Sequence, residues 1–199
     1  MITTIKPVLE RTVIDDVKEA KRVLYLHGLG GRRAGPRTER LIDLGYGIVY
    51  PDLPPDDYAH SVEIAQAHVT GVDLVIGSSR GGAVAMGLTT DKPVLLLAPA
   101  WKLCGIQPVV PNERTYIIHG LADERVPHSD SEELAGACGI GGNLILVTDK
   151  HSLTDSLDLI LMLAQEMMEG DLSDPYDTDP TPLGPADASG SISDTAAPT

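Results

Sequence analysis

The chain has 199 residues, enough for one domain with a sizeable core, and its 29 Asp and Glu against 15 Lys and Arg give a formal charge of −14. That balance leaves no basic stripe to track a phosphate backbone or an anionic bilayer, which argues against nucleic acid and membrane as partners. With no Phe and one Trp, the core has to be built from Leu, Val, Ile, Ala and Met. The N-terminus, Met1 to Pro7, lacks the long apolar core of a signal peptide, and no apolar run reaches the ~18 residues of a spanning helix, so the expectation is a soluble cytoplasmic protein. Cys104 and Cys138 have no metal or redox spacing and read as small buried hydrophobes.

In chain order, Ile2–Ile5 suggests a short edge strand and Pro7–Ala20 a short helix. Val23–Leu26 is a strand, followed by the glycine-rich loop His27-Gly-Leu-Gly-Gly31. Pro36 opens a helix through Leu44, with Leu41, Ile42 and Leu44 as buried candidates, and Gly45 ends it. Gly47–Tyr50 is a strand, Asp52–Asp57 a loop, and Tyr58–Val69 a helix burying Val62, Ala65 and Val69. After the strand Val72–Ile76 comes a helix from Arg80 to about Thr89, then the strand Pro93–Leu97. Residues 98–112 hold three prolines and no helical period, so they read as a loop or a very short lid. Arg114–Ile118 is a strand running into His119-Gly120, and Ser129 with Glu132 suggests a capping box for a helix to Cys138. Asn143–Val147 is the last strand and Leu153–Met168 the last helix, with Leu157, Ile160, Leu161 and Ala164 on one face.

Strands alternating with helices imply an α/β three-layer sandwich: a mostly parallel, doubly wound sheet of about six strands covered on both sides. The domain spans residues 1–169. From residue 170 the chain turns to Pro, Asp, Ser, Thr and Gly, with six aspartates and no Lys or Arg, the composition of a disordered tail.

Gly77-Ser-Ser79-Arg-Gly81 fits a nucleophile elbow, a serine on a strained strand-to-helix turn whose helix dipole suits a developing oxyanion. A glycine-rich turn without chemistry has the same pattern. Such a serine needs an imidazole base, and the imidazole needs a carboxylate to hold its tautomer. Asp123 stands just beyond the strand ending at Ile118, and His151 just beyond the strand ending at Val147. Ligands of doubly wound sheets bind beyond the carboxyl ends of the strands, where all three residues fall. Glu124 and Asp149 are rival acids.

Four segments carry a resemblance: Leu24-Tyr-Leu-His-Gly-Leu-Gly30, Gly77-Ser-Ser-Arg-Gly-Gly82, His119-Gly-x-x-Asp123-x-x-Val-Pro127, and Lys150-His151-Ser152. In this order the chain resembles the α/β-hydrolase superfamily, particularly the small lidless bacterial serine esterases of the YqiA/YcfP type, over roughly residues 22–165. The resemblance implies Ser79 as nucleophile, Asp123 as acid and His151 as base. It also implies an oxyanion hole from the backbone N–H groups of Leu29 and Arg80, with His27 shaping that loop. Gly28 and Gly30 are expected substrate-binding residues; Trp101, in the loop after Leu97, is either a wall of the acyl pocket or a partly buried packing residue. The chemistry requires no metal or organic cofactor, and the expected partner is a small acyl ester. A thioesterase, amidase or acyltransferase would use the same triad, and a non-catalytic binding protein would share the fold. Arg80 departs from the uncharged residue common after the nucleophile. Arg32, Arg33, Arg37, Arg80 and Arg125 fall at the reactive edge, where they either make a positive mouth favouring acyl groups that carry a carboxylate or pair with Asp52, Asp56, Asp57 and Glu124.

Overall fold

The computed structural model describes residues 20–31 and 35–170. The strand expected at Ile2–Ile5, most of the helix expected over Pro7–Ala20, the tail after Gly170, and Arg32 and Arg33 lie outside the described residues.

Among the described residues six strands make one parallel sheet: β1 (Arg22–Leu26), β2 (Gly47–Val49), β3 (Leu74–Ser78), β4 (Val94–Leu97), β5 (Thr115–Gly120) and β6 (Leu144–Val147). Their order is β2-β1-β3-β4-β5-β6. Among the described residues five α-helices cover it: α1 (Pro36–Asp43), α2 (Tyr58–Gln66), α3 (Arg80–Met86), α4 (His128–Cys138) and α5 (Leu157–Glu169). Side chains alternate between the faces. Val23, Tyr25, Leu74, Ile76, Leu95 and Leu97 pack with Leu41 of α1 and with Ile160 and Ala164 of α5. Leu24, Leu26, Val75, Val94, Leu96 and Ile117 pack with Ala65 of α2, Val84 of α3 and Leu134 of α4. Two covered faces explain why the strands read as unbroken apolar runs. The one charge in such a run, Asp73, sits just ahead of β3, where its Oδ2 accepts the Arg22 N–H at 2.7 Å and its own N–H reaches the Arg22 carbonyl at 2.8 Å.

The strand order reverses between β1 and β3, with register Leu26 to Gly77, so a crevice opens beyond their carboxyl ends. The elbow is fitted into it by close approach. A Cβ on Gly81 would lie 2.0 Å from the Leu26 carbonyl oxygen, and one on Gly77 would lie 2.6 Å from the Gly81 carbonyl oxygen. Both clashes are with backbone, which has nowhere to go. Gly81→Ala is therefore expected to cost ~3 kcal/mol, read as a fall in Tm of roughly 6–12 °C; an unchanged Tm would contradict this packing.

Several local expectations are corrected. Of the three apolar residues assigned to the buried face of α1, only Leu41 is buried, while Ile42 and Leu44 are 57% and 43% exposed. A helix this short buries a single stripe, here Thr38 and Leu41, and the next position along points about 100° away. Ser129 does not cap α4: the helix starts at His128, with Pro127 at the N-cap and no side-chain cap. α2 stops at Gln66, and a short 3-10 turn, Val69–Gly71, carries the chain into β3. Cys104 and Cys138 are free thiols, half-buried, and burial pushes both up. Among the described residues no helix is long and apolar enough to cross a membrane.

Candidate active site

Ser79 joins β3 to α3 with φ 54° and ψ −118°, a backbone conformation that costs a non-glycine residue of order 1–3 kcal/mol. Its neighbours hold it there. The Ser79 N–H donates to the Leu97 carbonyl at 2.8 Å, and the Ser79 carbonyl accepts from Ala100 at 3.0 Å. The turn thrusts the side chain above the sheet edge, and Ser79 Oγ lies 3.0 Å from His151 Nε2. His151 Nδ1 lies 2.6 Å from Asp123 Oδ2. Residues 72 positions apart thus meet at the carboxyl edge of the sheet, although β4 and β5 lie between the strands that lead into them.

The Asp123 side chain is fully buried, and every polar contact on its carboxylate comes from a donor. Its Oδ1 accepts the N–H groups of Arg125 at 2.8 Å and Val126 at 3.0 Å. Its Oδ2 takes His151 and also His119 Nε2, at 3.1 Å. Burial alone would raise this carboxyl, but the Val126 N–H, the His151 ring and the Arg125 N–H outweigh it and hold it below the usual carboxylate range. It stays ionised wherever an imidazole titrates.

His119 was quoted only as part of a motif, yet it stands behind this carboxylate. It is fully buried at the end of β5. Nε2 faces two acceptors, Asp123 Oδ2 and the Val126 carbonyl at 3.0 Å, so it carries the proton. Nδ1 then accepts from the Ser131 hydroxyl at 2.6 Å. Burial pushes this imidazole below its ordinary value, against the pull of Val126 and Asp123. It is thus a neutral donor rather than a second cation. The signal available in the sequence was its place four residues ahead of Asp123 at a strand end.

Neither rival acid reaches His151. Asp149 is buried with Oδ1 on the Lys150 N–H at 2.6 Å and Oδ2 on the Ser156 N–H and hydroxyl at 3.0 and 2.9 Å. It ties the loop that carries His151 to the start of α5. Glu124 lines a second cavity of about 280 Å³ with Arg125, Lys150 and His151.

The loop after β1 passes beside the serine. A Cβ on Gly28 would lie 3.1 Å from Ser79 Cβ and 3.6 Å from its Oγ, so glycine leaves the Ser79 hydroxyl open. His27 Nδ1 reaches the Gly28 carbonyl at 2.8 Å, and its ring stacks on Tyr50 with centroids 5.1 Å apart, which shapes this turn. Gly28 lines a cavity of about 320 Å³. Gly30, expected beside it, does not: Gly31 takes that place. Trp101 is not on the wall of either cavity. It is 3% exposed in the core, and its indole N–H donates to the Asp130 carbonyl at 3.0 Å. A tryptophan whose polar end finds a buried carbonyl packs like any large apolar side chain.

Arg80 is no part of a positive mouth. Its side chain is buried and donates to Ser61 Oγ at 2.9 Å and to the carbonyls of Pro54 and Asp57, clipping the loop before α2 onto the elbow. The charge that breaks the resemblance is thereby given a structural task. Arg125 lies on the second cavity, and Arg37 on the first.

No protein-family model matches the chain, and no curated protein matches its sequence. Solved structures do. A Xanthomonas campestris pv. campestris protein assigned to the alpha/beta hydrolase superfamily aligns at 19% identity and TM-score 0.62, over 75% of this chain and 98% of that one. The alpha/beta hydrolase enzyme MGS-MChE2, from the metagenome of sediments of the Mar Chica lagoon in Morocco, aligns at 16% and 0.57, over 77% and 92%. Est1E from Butyrivibrio proteoclasticus aligns at 17% and 0.55, over 76% and 88%. The chain has the α/β-hydrolase fold.

Proposed function

We propose that this protein is a serine hydrolase that cleaves small carboxylic esters, in the manner of the small lidless esterases. The observation that carries the reading is the unbroken relay from Ser79 Oγ to His151 Nε2 at 3.0 Å and from His151 Nδ1 to Asp123 Oδ2 at 2.6 Å. With Asp123 ionised, Nδ1 keeps its proton and Nε2 presents a lone pair to the hydroxyl. His151 takes the Ser79 proton as Oγ attacks the ester carbonyl. The new Oγ–C bond leaves a tetrahedral oxyanion. Collapse breaks the ester C–O bond, and the imidazolium returns its proton to the departing alcohol. Water, deprotonated by the same imidazole, then releases the acid and restores Ser79.

The oxyanion donors in this reading are the backbone N–H groups of Leu29 and Arg80. Neither N–H has a hydrogen-bond partner among the described residues, and each is worth ~3 kcal/mol of barrier. Arg80 directly follows the serine at the start of α3, and Leu29 follows Gly28, where an added Cβ would lie 3.6 Å from Ser79 Oγ. Est1E has also been solved with ferulic acid bound, a carboxylic acid and so the product class of such a reaction.

A fluorophosphonate probe tests the reading directly. The expected result is one covalent adduct per chain, mapped by mass spectrometry to the peptide containing Ser79 and abolished by heat denaturation. A folded protein left unlabelled under conditions that label a control serine hydrolase would mean a binding protein instead.

A further inference from the structure

The cavity of about 320 Å³ beside Ser79 is mostly apolar but is crossed by one cation. Its lining includes Gly28, where an added Cβ would lie 3.6 Å from Ser79 Oγ, and Ser78 and Ser152, the chain neighbours of Ser79 and His151. Leu153 and Leu157 form one wall; Tyr25 and Tyr50, their rings stacked 5.8 Å apart and within 6° of parallel, form the other. Arg37, in the first turn of α1, spans the two: Nη1 donates to the Tyr25 hydroxyl at 3.4 Å and Nη2 to the Ser152 carbonyl. Both partners are neutral oxygens. No Asp or Glu lines the cavity, and Arg37 makes no ion pair among the described residues. In a chain of net charge −14, a half-buried guanidinium with no carboxylate is unusual. Its fork has five donors, of which two are used here.

We infer that the cavity receives the acyl part of the substrate and that Arg37 binds a carboxylate carried by that acyl group. The preferred substrates are then half-esters of dicarboxylic acids, with an apolar methylene chain lying between the Leu153 side and the tyrosine rings. The free acid replaces the counter-ion that Arg37 lacks among the described residues, through a charge-assisted hydrogen bond to the guanidinium fork. Hydrolysis follows the balance given above: the ester C–O bond breaks, water supplies the new acid oxygen, and the distal carboxylate is unchanged. The inference rests on the hydrolase reading.

Paired 4-methylumbelliferyl esters test it, adipate half-ester against hexanoate and suberate half-ester against octanoate. The wild-type protein is expected to favour the half-ester by ~10-fold or more in kcat/KM, the size of a lost charge-assisted contact. Arg37→Gln should bring the ratio near parity, and Arg37→Lys, with a point charge in place of the fork, should keep part of it. Because both esters share alcohol and triad, a displaced His151 would lower both rates and leave the ratio alone. Free adipate should also raise the Tm of the Ser79→Ala protein more than hexanoate does. Hexanoate cleavage with labelled Ser79 and a wild-type ratio of one, or a ratio unmoved by Arg37→Gln, overturns acid recognition and leaves the hydrolase reading standing. No cleavage of any ester and no labelling of Ser79 overturns both.

Discussion

Ser79→Ala is expected to lower kcat for ester hydrolysis by ~10⁵-fold or more, because removing the nucleophile leaves only the binding and oxyanion contributions. The fold should not change, since alanine keeps the β-carbon and makes the same backbone hydrogen bonds to Leu97 and Ala100. Ser79→Gly sharpens the test. The elbow conformation, φ 54° and ψ −118°, is strained for serine and for alanine alike, and glycine relieves ~1–3 kcal/mol of that strain. The glycine variant should therefore be as inactive as the alanine variant yet melt several degrees above it. Initial rates on a fluorogenic ester, with thermal melts of the three proteins, decide the matter. Activity within tenfold of wild type in Ser79→Ala would place the nucleophile elsewhere.

Asp123→Asn should cost ~10⁴-fold in kcat with almost no change in shape. The reason lies in the four donors that converge on this carboxylate. If the asparagine oxygen serves the Arg125 and Val126 N–H groups, its NH2 must face His119 and His151. His151 is then driven to accept at Nδ1 and to carry its proton on Nε2, pointing at Ser79, where it is no base. His119 supplies the control. Its neutral ring gives Asp123 Oδ2 a second donor at 3.1 Å, so His119→Leu should reduce kcat by only ~10-fold, with KM little changed, and His119→Gln should restore most of the loss. Pre-steady-state acylation rates across the three variants separate the effects. A loss in Asp123→Asn no larger than in His119→Leu would show that tautomer control is not what the carboxylate supplies.

The fold was readable because its strongest signals are local and repeated. Each strand of a sheet covered on both faces is a short apolar run, and Gly45, Pro51 and Gly120 punctuate them. The meeting of Ser79, Asp123 and His151 was readable for a related reason: the segment just past each strand end is where a parallel sheet gathers its side chains. What failed was one-sided packing on short elements. Nothing in the residues 36–44 tells which of Leu41, Ile42 and Leu44 meets the sheet, because the choice depends on where α5 lies. Trp101 looked like a pocket wall only because it follows β4, and the Asp130 carbonyl that receives its N–H comes from a distant helix. Arg80 was misplaced likewise, since the oxygens that hold it belong to Pro54, Asp57 and Ser61. His119 shows the converse: a residue recognised by pattern whose task appeared only once Ser131 and Val126 were found around it.

The span from Ser79 to His151 has a consequence for biosynthesis. The serine, its elbow and the glycine loop belong to the first half of the sheet, but the base hangs from a loop moored to Ser156 at the head of α5. A chain emerging from the ribosome holds no proton acceptor for its nucleophile until β6 has joined the growing edge and α5 has closed over it. On the hydrolase reading, competence therefore arrives only with β6 and α5, and turnover reports that both have docked.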